Sequence, residues 1–290
     1  MLLKLVDVRT AALRRLAYAG ARYGPRPWVE FSPAFFGVVF AALLPAQRAV
    51  VRDNLRRLGR HRGPWGERLD VVKTFVAYAH CLAESLAMER PDAQRAEPLV
   101  HGAEHLATAI GEGRGVVIVT AHTGAWDAAA RWLGRDYAAD VLVVMAAESN
   151  DRARELHDGA RTRAGIRVLH VGRDALDALP LLGHLRRGGI VALQLDRPGD
   201  PATAIDVSLP DGRFLVPEGP FRLAMLARAP VVPIFARRTG YFRYEIDVRP
   251  GIRLPRRASI DEVSRAATLA TQEMNRFLRN NPTEWFHFGR

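Results

Sequence analysis

Two residues in the run Val116-Val117-Ile118-Val119-Thr120-Ala121-His122-Thr123-Gly124-Ala125-Trp126-Asp127 are of types that move protons: His122 and, after four intervening residues, Asp127. An imidazole titrates near neutrality and takes a proton from a hydroxyl, an effect typically worth about 10²- to 10⁴-fold. Asp127 would fix the tautomer of that imidazole and stabilise the imidazolium, as the carboxylate of a Ser-His-Asp triad does. No serine or cysteine lies inside the run, so the attacking group would be the substrate's own. That points to group transfer rather than covalent catalysis. A plainer reading stays open at this point: a satisfied loop histidine followed by an early-helix acid favoured by the helix dipole.

The elements that must position the pair can be read from the same run. Gly115 punctuates the chain, the apolar residues after it read as a fully buried strand, and a helical pattern begins at about Trp126. His122 is thereby placed at the C-terminal end of a strand, the edge where open α/β sheets usually bind ligands. With this strand near 116–120, others near 141–145, 190–195, 231–235 and 243–248 alternate with helical patterns. The expected fold class is therefore α/β, a mixed central sheet flanked by helices. With 290 residues and 48% hydrophobic content the chain can bury a large core. Cys81, the single cysteine, rules out an intrachain disulfide framework and reads as a core thiol. His122 and Asp127 alone are too few ligands for a closed zinc site, so no metal is expected.

The blocks around the dyad resemble those of the lysophospholipid acyltransferase superfamily, and more closely its branch of late acyltransferases of lipid A biosynthesis. The carried signature is His-x4-Asp. Gly102-Ala103-Glu104-His105-Leu106, Gly113-Arg114-Gly115 and then His122 to Asp127 follow that branch from helix through strand to active site. Asn150 and Asp151 with Arg161, Arg163 and Gly165 resemble the second block, Gly172-Arg173-Asp174 a later one, and Gly188 to Asp196 a strand ending in an acid. Gly219 to Pro233 resembles the late helix and strand, and Trp285-Phe286-His287 the ending. The resemblance runs in order over roughly residues 45 to 290. Ala125 departs from it where the branch usually has Asn, as does Pro198 where a second acid is common. Val216-Pro217-Glu218-Gly219-Pro220-Phe221-Arg222 looks like the Phe-Pro-Glu-Gly-Thr-Arg block of glycerolipid acyltransferases, but only Phe214, Leu215 and Val216 precede it as strand. Asp196 and Arg197 are the better equivalents, and Pro217 onwards reads as the start of a helix.

The resemblance implies a glycerolipid acyltransferase-like fold and transfer of a fatty acyl group from a thioester to a hydroxyl, or less readily an amine, of a lipid or glycolipid. His122 would abstract the acceptor proton while Asp127 orients it. Arg173 would hold a phosphate, guanidinium matching phosphate oxygens as a fork, and Asp196 would orient Arg173 or bind a substrate hydroxyl. Asn150, Arg152, Arg163 and Gly219 complete the expected substrate-binding set. No cofactor is expected beyond the co-substrate, an acyl carrier protein or coenzyme A thioester. Competing readings are a hydrolase using the same dyad on water and a non-catalytic basic lipid-binding protein.

Charge separates the partners further. Lys and Arg total 42 against 31 Asp and Glu, a formal net charge of +11. Nucleic acid is not expected, because no zinc-finger spacing, RNP-like aromatic block or lysine-rich tail accompanies the charge. Anionic membrane lipid is expected. Met1 to Tyr23 carries leucines among Lys4, Arg9, Arg14, Arg15 and Arg22, an amphipathic basic pattern. Residues 34 to 44 are uncharged and apolar, yet as a helix they reach only about 16 Å against a hydrocarbon core of about 30 Å. The expected location is peripheral or monotopic, on the cytoplasmic face of the inner membrane, with the protein a monomer. Residues 1–98 read as a helical membrane-docking region and 99–290 as the catalytic α/β portion, forming one continuous unit. A basic helix is expected after Pro45, a loop over Arg60 to Gly66, and a long helix from Leu69 to Met88.

Overall fold

A computed structural model describes residues 18–88, 90–94, 96–137, 140–146, 167–171, 178–198, 201–209 and 212–289. The continuous apolar runs form strands that are buried on both faces, the pattern of parallel sheets covered by helices. In β2 (Val116–Thr120) Val117 and Val119 enter one core cluster while Val116 and Ile118 enter the other. The same alternation holds in β3 (Val141–Ala146), where Leu142 and Val144 oppose Val141 and Val143, and in β5 (Ile190–Gln194) and β8 (Val231–Gly240). With β1 (Leu99–His101), β4 (Arg167–Val171) and β9 (Arg243–Val248) they make a seven-stranded sheet of order β1-β9-β8-β2-β5-β3-β4. Every pairing in it is parallel except β8 with β9. Beside it, β6 (Ala204–Leu209) and β7 (Gly212–Pro217) form a separate antiparallel pair.

Helices cover the two faces. α1 (Arg26–Leu43), α2 (Pro45–Arg57) and α3 (Gly63–Leu86) come first, and a single turn, α4 (Pro91–Gln94), leads to the sheet. The loop before α3 is shorter than Arg60 to Gly66, because Pro64 sits in the first helical turn, where a missing N–H costs nothing. α5 (Ala103–Gly111) and α6 (Trp126–Asp136) contribute Leu106, Ala109, Trp132 and Leu133 to one core cluster. α7 (Ala178–Arg186), α8 (Gly219–Ala227) and α9 (Ile260–Asn280) pack into the other. α9 opens on a capping box, in which Ser259 Oγ accepts from the Glu262 N–H and the Glu262 carboxylate accepts from the Ser259 N–H. Such a cap is worth about 1 kcal/mol.

α3 ties the N-terminal helices to the sheet through a buried acid. Glu84 accepts from Arg238 Nε at 2.7 Å, from Tyr244 Oη at 2.7 Å and from the Phe242 N–H at 3.3 Å. α1, by contrast, buries Val29, Pro33, Gly37 and Ala41 and leaves its aromatics outside. Among the described residues no single helix is long and apolar enough to cross a membrane; α1 and α2 pass that test only together, bent by 100°.

Candidate active site

The register of β2 against β5 builds the site. Thr120 pairs with Gln194 in a parallel ladder, so the residues two positions beyond each, His122 and Asp196, emerge side by side at the C-terminal edge. Asp196 Oδ1 lies 2.8 Å from His122 Nδ1, and both carboxylate oxygens accept from the His122 backbone N–H at 3.1 Å. Trp285 Nε1–H donates to Oδ2 at 2.9 Å. The Asp196 side chain is fully shielded from solvent while that of His122 is 24% exposed. Burial works to raise the Asp196 carboxyl, but the His122 ring, through charge and hydrogen bond, together with the Trp285 and His122 N–H donors, outweighs it and holds the pKa at about 2. An ionised carboxylate only accepts, so Nδ1 carries the proton and Nε2 is the nitrogen left to meet a substrate.

Asp127 has a different neighbour. It sits in the first turn of α6, 7% exposed, and its Oδ2 accepts from Ser85 Oγ on α3. The spacing that suggested a His122–Asp127 dyad therefore belongs to a loop in which Asp196 reaches Nδ1 and Asp127 joins the helix start to α3. Asp196, expected to orient Arg173 or bind a substrate hydroxyl, hydrogen-bonds His122 and Trp285, while Arg173 lies outside the described residues.

The loop between them is clamped from the chain's other end. Phe286 N–H donates to His122 O at 2.7 Å, and Thr123 bridges Trp285 in antiparallel fashion. Gly124 has no room for a side chain: a Cβ there would lie 2.3 Å from Glu284 Oε2 and 3.0 Å from Cys81 Sγ. Ala125 follows in the left-handed region, φ 64 and ψ 23. Asn tolerates that region better than Ala, which gives the branch's usual Asn a conformational reason. Behind the loop, Glu284 Oε2 is buried with no hydrogen-bond partner among the described residues. Burial pushes the Glu284 carboxyl up to about 7, against the Arg238 backbone N–H and the charges of Arg238 and Arg237, with Glu84 adding to the rise.

Arg197 reaches Phe286 O at 3.3 Å, and burial lowers its pKa, opposed by Asp196. The His287 ring stacks on Trp285 with centroids 5.6 Å apart, and burial, then the Arg197 charge, lowers its pKa to about 4. Gly219 opens α8, which leads down to the start of β8, so it lies at the same edge as His122 but outside its hydrogen-bond network. The glycerolipid-like block around it follows the short β6–β7 pair rather than a strand of the main sheet. Asn150, Arg152, Arg163 and Arg173 lie outside the described residues. Trp285, Ser85 and Glu284 were not picked out as site residues from the sequence. Only the Trp285-Phe286-His287 ending carried a signal, since its partners lie far away along the chain.

At the end of its central strand this α/β sheet presents an imidazole held by a buried carboxylate, an arrangement chemically able to take a proton. The chain belongs to the bacterial lipid A biosynthesis acyltransferase family, whose model matches residues 11–290, and is an acyltransferase of lipid biosynthesis that takes an acyl donor and a lipid acceptor. Among solved structures it is similar to the 1-acyl-sn-glycerophosphate (LPA) acyltransferase PlsC from Thermotoga maritima, at 12% identity over 95% of this chain and 99% of that one, with a TM-score of 0.41. No curated protein matches.

Proposed function

We propose that the protein transfers a fatty acyl group from a thioester of acyl carrier protein or coenzyme A to a hydroxyl of a lipid or glycolipid, with His122 as general base and Asp196 as the carboxylate that orients it. The observation that carries this reading is the 2.8 Å contact between His122 Nδ1 and a carboxylate with no solvent exposure. In the reaction, Nε2 takes the proton of the acceptor hydroxyl as its oxygen attacks the thioester carbonyl. The C–O bond forms, the tetrahedral intermediate collapses with cleavage of C–S, and the imidazolium returns the proton to the departing thiolate. Asp196 stays ionised throughout and stabilises the imidazolium. Asp127 serves as a positioning residue that joins the loop to α3 through Ser85. A phosphate-holding role for Arg173, and substrate-binding roles for Asn150, Arg152 and Arg163, rest on the sequence resemblance.

The reading extends to a membrane surface on the cytoplasmic side of the inner membrane. What supports it is α1, where Phe31, Phe35 and Leu43 are 67%, 66% and 68% exposed. α1 packs along α3 through Gly37, which sits against the Val76 backbone, and α3 carries Ser85 to the catalytic loop. An apolar face of this kind lies in the headgroup boundary when basic residues flank it.

The test is acyl transfer from a defined thioester to a lipid acceptor by the wild type and His122→Ala. Turnover falls about 10²- to 10⁴-fold if His122 is the base, and lipid mass spectrometry of cells carrying each form names the acceptor by the missing acyl group. Retained turnover in His122→Ala removes the mechanism, and thioester cleavage as fast without acceptor as with it makes the enzyme a hydrolase.

A further inference from the structure

The opposite end of the sheet carries a second concavity with no role in the reaction above. Arg114 precedes β2, Arg228 to Pro230 precede β8, and Arg253 and Arg256 follow the bridge between Val231 and Ile252, so all of them gather at the N-terminal edge of the parallel strands. Together with Glu112 they line a hollow of about 400 Å³. The five residues of β2 separate this hollow from His122 by about 17 Å, at 3.3 Å per residue.

The charge balance inside it is one-sided. Glu112 pairs with Arg253, which leaves Arg114, Arg228 and Arg256 without an ion pair to any described residue. Guanidinium groups around one hollow repel one another, and nothing among its described residues offsets three of them. Arg228 adds a second observation. It ends α8 at φ 58 and ψ 29, the left-handed position where helices ordinarily place glycine, and an arginine there costs about 1 kcal/mol that a glycine would not. A residue held in such a conformation at the rim of a hollow points to a use for its side chain.

We infer that this hollow is an anion-binding site, separate from the catalytic centre, for a ligand carrying a diphosphate or two adjacent phosphates. Guanidinium forks match phosphate oxygens two at a time, so three unpaired arginines suit a polyanion better than a single carboxylate. The shape favours a small ligand group over an acidic protein face: the volume falls within the roughly 300–1,000 Å³ of small-molecule sites, and Pro230 and Leu254 contribute apolar wall. A soluble diphosphate compound and a diphosphorylated lipid headgroup offer the same chemistry.

The test is calorimetric titration of the full chain with inorganic pyrophosphate, for the wild type, Arg228→Gly with Arg256→Gln, and His122→Ala. Arg228→Gly removes the side chain with its guanidinium at a position whose left-handed backbone glycine adopts freely, so the double variant should retain its fold. The wild type and His122→Ala bind one pyrophosphate saturably, and the double variant binds it about tenfold or more weakly, as expected for loss of charge-assisted pairs. Flotation with vesicles containing phosphatidylinositol 4,5-bisphosphate, which carries two adjacent phosphates, then separates the sources: an unchanged result in the double variant assigns a soluble ligand, and a reduced one assigns a headgroup. No saturable binding by the wild type, equal affinity in the double variant, or loss of binding in His122→Ala overturns the proposal.

Discussion

Asp196 at the end of β5 and Asp127 at the start of α6 are buried acids on either side of one loop, and the fold uses them differently. Asp196 receives three N–H donors, two of them from His122, and remains ionised. Asp127 receives the Ser85 hydroxyl and so fastens the loop to a helix whose far side packs on α1. Nearness along the chain favoured Asp127; the parallel register of β2 with β5 brings Asp196, distant in sequence, into contact instead. The contrast separates a carboxylate that sets the imidazole from one that sets the loop.

The largest expected effect tests that separation by kinetics. Asp196→Asn lowers kcat by about 10²- to 10⁴-fold with KM little changed, because an amide does not stabilise the imidazolium. Asp127→Asn costs about 1 kcal/mol of stability through the weakened Ser85 bond and the lost charge at the helix start, with a much smaller change in kcat. Steady-state kinetics and thermal melts of the two variants check both halves, and equal losses of kcat would break the comparison.

The next effect concerns Glu284, a third acid behind the same loop. Its native pKa of about 7 lies above the ordinary glutamate value of 4.5, so the folded state holds this proton more tightly than the unfolded chain. The stabilisation is fully present below pH 4.5 and is lost as pH rises through about 7, a swing of about 3 kcal/mol. Glu284→Gln removes that swing, so melting curves from pH 5 to pH 8 should converge for the variant and fall for the wild type. Asp196 has the opposite sign: its lowered pKa contributes stability above about 4 that disappears as pH falls towards 2.

Two smaller changes sharpen the contrast further. Trp285→Phe keeps the ring against Phe214 and His287 but removes one donor from Asp196, and kcat should fall about tenfold while the corresponding change at Ser85, Ser85→Ala, leaves kcat nearly intact. Ala125→Gly relieves the left-handed backbone at the loop's end and should raise stability by up to about 1 kcal/mol in denaturant melts.

Long apolar runs were the legible part of the fold. β2, β3, β5 and the apolar start of β8 follow directly from them, because burial on both faces demands unbroken apolar sequence, whereas β9 was legible from its alternation of polar and buried residues and the helix at Trp126 from its amphipathic spacing. β1 and β4 escape the same reading, since β1 is three residues with two exposed and β4 opens on Arg167 at the sheet edge. The β6–β7 pair had a signal in Pro210-Asp211-Gly212, a turn sequence between alternating residues. In the site, His122 and the acid ending β5 were both legible as residues of one edge. Their contact was not, because it depends on which strands are neighbours, and the Trp285 bond depends on where the chain's end returns.

The most direct test is the imidazole proton itself. In ¹⁵N-histidine-labelled protein, the His122 Nδ1–H should give a downfield, slowly exchanging resonance that persists in Asp127→Asn and disappears in Asp196→Asn. A resonance that survives Asp196→Asn and is lost in Asp127→Asn would assign the orienting carboxylate to Asp127 and contradict the account.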